Sequence, residues 1–172
     1  MKNMDTLEAI FSRRSIRKYT DKIIETELVE KIIKAGMYAP SAGNAQPWHF
    51  IILTERKYLD KIPDFHPYSQ MLKQANLAIL VCADPQLEKY KNRWPQDCSA
   101  ATMNILLAAH SLGLGAVWVG LYPEEERING VKKLLNLPEH IIPFSIVPLG
   151  YPDEIKSQVD RFKPERIHKN SW

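Results

Sequence analysis

RRSIRKY, residues 13–19, gathers Arg13, Arg14, Arg17 and Lys18 around Ser15 at the end of a short helical pattern. Cations this close repel one another unless solvent or an anion neutralises them, and guanidinium forks match phosphate oxygens two bonds at a time. Two readings stand side by side at this point: a solvated basic patch at a helix end, or a phosphate site. The choice between them lies in the rest of the chain.

Upstream, Asp5 and Glu8 have capping-box spacing, and Leu7, Ile10 and Phe11 recur at three and four residues, which predicts a short amphipathic helix that delivers the cluster. Downstream, TDKII breaks the period, and Thr26 is expected to cap a second helix with Leu28, Val29, Ile32, Ile33 and Ala35 on its apolar face. In YAPSAGNAQPWHF (38–50), Pro40, Ser41, Gly43, Asn44 and Pro47 favour turns, and Ser41, Asn44 and Gln46 offer polar side chains. That segment is either an ordinary helix-to-strand connection or a ligand loop on a rigid scaffold. HFIILTE (49–55) reads as a strand, with Ile51, Ile52 and Leu53 too continuous for a sheet with one wet face. Residues 55–74, interrupted by Pro63 and Pro67, read as short surface helices and a candidate mobile cover, and LAILVCAD (77–84) as a second buried strand.

After a hydrophilic connection from Pro85 to Pro95, Asp97 is the expected N-cap of CSAATMNILLAAHSLGLG (98–115), a helix of small and apolar residues on most of its circumference. Such a helix is either a central core element or a subunit interface. His110 has no ligand partner at useful spacing and reads as structural, and Gly113 and Gly115 are expected to end the helix. AVWVGLY (116–122) is a third strand in which Gly120 marks either a bulge or the close approach of a ligand. An amphipathic helix spans Glu124 to Leu135, and IIPFSIVPLGY (141–151) is a fourth strand, where Pro143 and Pro148 argue against a central position. The tail VDRFKPERIHKNSW has no period and needs a neighbour to be ordered; Arg161 and Lys163 make it a second basic pole.

At 172 residues and 45% apolar content, the chain suits one domain, 1–172, that buries roughly 70% of its unfolded surface. The balance of 23 basic against 20 acidic residues is far from the single-sign field of a protein that coats nucleic acid. Cys82 and Cys98 suggest neither a disulfide framework nor a metal site and fit a reducing compartment. The sequence has no apolar signal-peptide run and none of membrane-spanning length, so the expected location is cytoplasmic.

RRSIRKY, then PSAGNAQPW some twenty residues later, then an Asp-initiated helix with LLAA ending in GLG before AVWVGLYP: in this order and spacing the chain resembles the FMN-dependent nitroreductase family in its short, single-domain form. The likeness runs from Phe11 to the ERIH near the terminus. It implies an α+β fold, a mainly antiparallel central sheet with helices on both faces, and an intertwined homodimer with FMN in each of two interface clefts. Carried over residue by residue, Arg13, Ser15 and Arg17, with Arg14 beside them, match the family's phosphate and ring-edge contacts. Arg161 or Lys163 is the late cation that closes on the phosphate. Pro40, Ser41, Asn44 and Gln46 reach the flavin from the other subunit, the backbone at Val119 and Gly120 faces its hydride-accepting nitrogen, and residues 152–172 pack on the partner. The implied activity takes a hydride from NAD(P)H and passes electrons to a nitroaromatic, quinone or similar acceptor by a ping-pong route, with no catalytic side chain and no metal. A relative specialised for dehalogenation or flavin breakdown, and a non-catalytic FMN-binding module, are the alternatives. No GxGxxG follows a strand to fix NADH over NADPH.

Overall fold

A computed structural model describes residues 4–172. Its two layers of core meet at β2 (Leu77–Ala83), a strand with no exposed residue. Side chains alternate across a strand, so Leu77, Ile79, Val81 and Ala83 enter one apolar cluster while Ala78, Leu80 and Cys82 enter another. The first cluster is closed by α2 (Thr26–Met37) and α4 (Trp94–Ser111), through Leu28, Ile32, Ala101, Ile105 and Ala109. The second is closed by α3 (Arg56–Leu59), by 3-10 turns at Ile62–Asp64 and Gln70–Lys73, and by α5 (Glu125–Leu135). The fold is therefore α+β, with helices on both faces. The sheet is antiparallel throughout, in the order β1 (Trp48–Leu53), β2, β5 (Ile142–Gly150), and then β3 (Gly115–Ala116) with β4 (Val119–Gly120). No helix among the described residues is long and apolar enough to cross a membrane.

Several elements depart from their sequence pattern. β1 is an edge strand, with His49 and Ile52 exposed, rather than one buried on both faces; the continuous apolar run hides an edge that no other strand among the described residues pairs with. β5 is central despite its prolines. Phe144 is an extra residue between the pairs Val81–Ser145 and Cys82–Pro143, so Pro143 adjoins a bulge. β3 and β4 pair with β5 in one register that sets Pro148 opposite Val117, where a missing N–H costs little because the edge strand is interrupted. Residues 55–74 are less a mobile cover than a packed layer, since Leu59, Ile62 and Leu72 are wholly buried.

α4 begins at Trp94, three residues before the expected cap. The Glu88 carboxylate accepts from the N–H groups of Asn92, Arg93 and Trp94 at 3.1, 2.6 and 2.7 Å, and Pro95 suits the first turn. Asp97 is thereby released from capping and lies buried in that turn. Gly113, at φ 78°, ends the helix, with Leu114 N–H donating to the Ala109 carbonyl at 2.9 Å. α2 starts one residue earlier than expected, Glu25 taking the cap position and Thr26 lying inside the helix. In α1 (Thr6–Ser12), Asp5 caps the Leu7 N–H at 2.9 Å, but Leu7, Ile10 and Phe11 stay exposed within the chain.

Candidate active site

The basic stretch is extended, not helical, and lies along the free edge of β3. Ile16 N–H donates to the Ala116 carbonyl at 3.0 Å, Ser15 bridges Ala116, and Thr20 N–H donates to the Tyr151 carbonyl at 2.9 Å. What admits it is a pair of glycines facing each other across two strands, Gly115 and Gly150. A Cβ at Gly115 would stand 2.6 Å from Ile16 Cγ2, and one at Gly150 would stand 2.6 Å from Tyr19 Cβ. Gly115 therefore serves as a slot in the sheet rather than as a helix terminator. Tyr19 fills the slot, its hydroxyl donating to the Ile16 carbonyl at 2.7 Å, and burial pushes the phenol well above its ordinary pKa.

At the start of the stretch the cations are under-partnered. Arg14 donates from Nη1 to the carbonyls of Phe11 (2.9 Å) and Arg13 (2.7 Å), and from Nε to that of Ser157 (3.0 Å), which ties the tail to the cluster. Arg14 Nη2 and Arg13 Nε are buried with no hydrogen-bond partner among the described residues. Burial first, then the charges of Arg161 and Arg14, pull Arg13 below its ordinary pKa. Arg161, on the tail, thus acts on Arg13 through its charge; both it and Lys163, which precedes a turn over Pro164–Arg166, are exposed. Beside them Ser12 Oγ meets His110 Nε2 at 2.8 Å, and burial, with Arg13 and Arg14 as lesser causes, lowers the His110 pKa.

Arg17 leads from this cluster into a cavity of about 410 Å³ that it lines with Trp118, Val119, Gly120 and, from the packed layer, His66 and Tyr68. The Gly120 carbonyl accepts two hydrogen bonds, from His66 Nε2 at 2.8 Å and from Arg127 Nη1 at 3.2 Å. A residue's N–H and C=O point the same way in an antiparallel strand, so the Gly120 N–H also turns away from β5, towards the cavity. Burial lowers the His66 pKa, consistent with a neutral ring that donates from Nε2. Sequence reasoning missed His66 and Arg127. What brings them together is Gly130, which carries no local sequence signal: a Cβ there would meet the Phe65 ring at 2.4 Å, so its absence lets the layer carrying His66 dock on α5.

The loop between α2 and β1 is, by contrast, largely self-satisfied. A 3-10 turn over Ala42–Asn44 has Gly43, Asn44 and later Gln46 at φ 62°, 53° and 51°. Gln46 N–H donates to Ser41 Oγ at 2.9 Å, Gln46 Nε2 to Asn44 Oδ1 at 3.1 Å, and Lys89 Nζ to the Gly43 carbonyl at 2.7 Å, while Pro40 is exposed. Ala42 N–H donates to Asp97 Oδ1 at 3.0 Å, which anchors the loop at the N-terminal end of α4. The His110 contact marks the other end, thirteen residues on, or about 20 Å at the helical rise. The structure therefore sets Arg13, Arg14 and Ser15 side by side with the Arg161 charge acting on Arg13, puts Arg17 on one cavity wall with Val119 and Gly120, and separates Pro40, Ser41, Asn44 and Gln46 from the cation cluster, none of these four lining the cavity. The cysteines are unsuited to nucleophilic work, since burial holds both thiols protonated and pushes Cys82 up to about 12.

A profile of the nitroreductase family matches residues 10–65 and 64–151. A Methanothermobacter thermautotrophicus protein, described as a candidate NADH dehydrogenase/NAD(P)H nitroreductase, is 56% identical over 98% of this chain and 88% of its own. A crystal structure from Parabacteroides distasonis with the same description superposes at TM-score 0.93 and 47% identity, covering 97% and 98% of the two chains. A candidate nitroreductase from Desulfovibrio desulfuricans, solved in complex with FMN, superposes at 0.83 with 33% identity over 97% of each chain.

Proposed function

The chain belongs to the nitroreductase family, and on that premise we propose that it is an FMN-dependent oxidoreductase that draws reducing equivalents from NADH or NADPH and delivers them to a nitroaromatic, quinone or similar acceptor. The observation that carries this reading is the pair of buried donors without acceptors, Arg13 Nε and Arg14 Nη2. A phosphate monoester of roughly −1.5 to −2 charge fits them, and each charge-assisted bond to it contributes roughly 1.5–3 kcal/mol. Bound FMN supplies the redox chemistry, which leaves orientation and electrostatics to the protein.

Arg13, Arg14 and Ser15 hold the phosphate, and Arg161 closes over it from the tail. Arg17 offers positive charge beside the ring, and the Gly120 N–H is a fixed donor towards it, aimed by the two bonds on the Gly120 carbonyl. The loop of Pro40, Ser41, Asn44 and Gln46 completes the site from a second copy, which also covers Leu7, Ile10 and Phe11 and gives the exposed tail a surface to pack on. Two features support that homodimer: the separation of loop and cations along α4, and the uncovered apolar side of α1.

The test is anaerobic titration of the purified protein with NADH and with NADPH, followed by menadione or nitrofurazone. Bleaching of flavin absorbance and its return on adding acceptor are expected. Tight FMN binding without bleaching would indicate a binding module, and protein that stays colourless after incubation with FMN would remove the reading.

A further inference from the structure

Arg127 takes no part in the cofactor contacts assigned above, yet it lines the same cavity. It stands in the first turn of α5, spends one N–H on the Gly120 carbonyl at 3.2 Å, and lies 5.7 Å from the centre of the Tyr68 ring. Among the described residues neither Arg127 nor Arg17 pairs with a carboxylate. Glu154 reaches the backbone N–H of Arg17 and then Lys156, and no Asp or Glu lines the cavity. Glu125 and Glu126 flank Arg127 in sequence but are exposed outside the cavity. His66, the remaining titratable group on this wall with Tyr68, donates to Gly120 as a neutral ring. The wall is thus cationic, and it carries two aromatic side chains, Tyr68 and Trp118.

We infer that Arg127 makes the site prefer small aromatic acceptors that carry a carboxylate over neutral acceptors of the same shape. This rests on the oxidoreductase reading, because the acceptor must share the cavity beside Gly120. Arg17 is committed to the cofactor, so Arg127 is the cation left to meet the acceptor's charge, and an aromatic carboxylate can place its ring against Tyr68 and its oxygens on the guanidinium.

The experiment compares kcat/KM for 4-nitrobenzoate and 4-nitrobenzamide in the FMN-loaded protein, with menadione reduction followed in parallel. The wild type is expected to favour the acid by about tenfold, a preference that shrinks as salt is raised. Arg127→Gln, which keeps a donor for the Gly120 carbonyl, should bring the ratio to within about twofold of unity, and Arg127→Lys should retain part of it. Taking a ratio cancels any common effect of misplacing Gly120. If neither variant folds, benzoate and benzamide compared as inhibitors of menadione reduction by the wild type serve instead, with benzoate expected to bind about tenfold tighter. Equal use of acid and amide by the wild type, or a preference untouched in Arg127→Gln, overturns the inference while menadione turnover leaves the oxidoreductase reading standing. Absence of FMN binding and of all turnover overturns both.

Discussion

The two ends of α4 hold opposite kinds of polar surface. At its N-terminal end the loop around Gly43 uses its side chains on itself and its backbone on Lys89 and Asp97, and what remains among the described residues is a buried acceptor, Asp97 Oδ2. At its C-terminal end burial and the neighbouring charges of Arg161 and Arg14 disfavour the charge on Arg13, and Arg13 Nε and Arg14 Nη2 are donors left over. Unmet hydrogen-bonding capacity in a buried place costs about 1–3 kcal/mol per group. The proposed function gives each end a partner: a second copy's surface for the loop, and a phosphate for the basic stretch.

Removing the strongest donor should separate the two most sharply. Arg13→Ala is expected to weaken FMN binding by about 10- to 100-fold, the loss of one charge-assisted bond, while leaving the thermal midpoint nearly unchanged; equilibrium dialysis and circular dichroism measure the two. Gly150→Ala acts on the frame that presents the cations. Its methyl would meet Tyr19, 2.6 Å away at Cβ, and should destabilise the protein by about 1–3 kcal/mol in urea titration, with weaker FMN binding as a consequence. At the other end, Gly43→Ala forces a side chain into φ 62° against Tyr90 and should cost about 1 kcal/mol, with the loop displaced and turnover reduced more than folding. The smallest effect is acid sensitivity. His66 and His110 have folded pKa values below the ordinary 6.5, chiefly through burial. Above that value neither state gains a proton, and as pH falls below it the unfolded chain protonates first, so stability declines until the folded pKa values are passed. His66→Gln should flatten that decline in urea midpoints measured between pH 7 and pH 5, a range of about two units around the ordinary histidine value.

Much of this was legible in the sequence because it is local. The capping Asp5, the run Leu77–Ala83, the αL stop at Gly113 and the crowding of Arg13, Arg14 and Arg17 all depend on neighbours a few residues away. What was not legible is pairing at a distance. Gly115 and Gly150 mean little until they face each other, Gly130 means little without Phe65, and Pro148 is harmless only because its partner strand is broken at Val117. Asp97 looked like a cap because the true one, Glu88, reaches forward across a turn that local spacing does not display. His66 and Arg127 were invisible for the same reason, since both act on a carbonyl 54 and 7 residues away, respectively.

The most direct test of the central proposal, that one chain's arginines and another chain's loop make a single site, is complementation. Arg13→Ala and Asn44→Ala proteins, each expected to be poorly loaded at limiting FMN, are unfolded, mixed, refolded with limiting FMN and assayed for NAD(P)H-dependent menadione reduction. If the site is shared, the mixed dimer contains one site with both residues intact, and activity returns well above that of either variant refolded by itself. If each chain builds its own site, every site in the mixture still lacks one residue, and activity stays at the level of the separate variants.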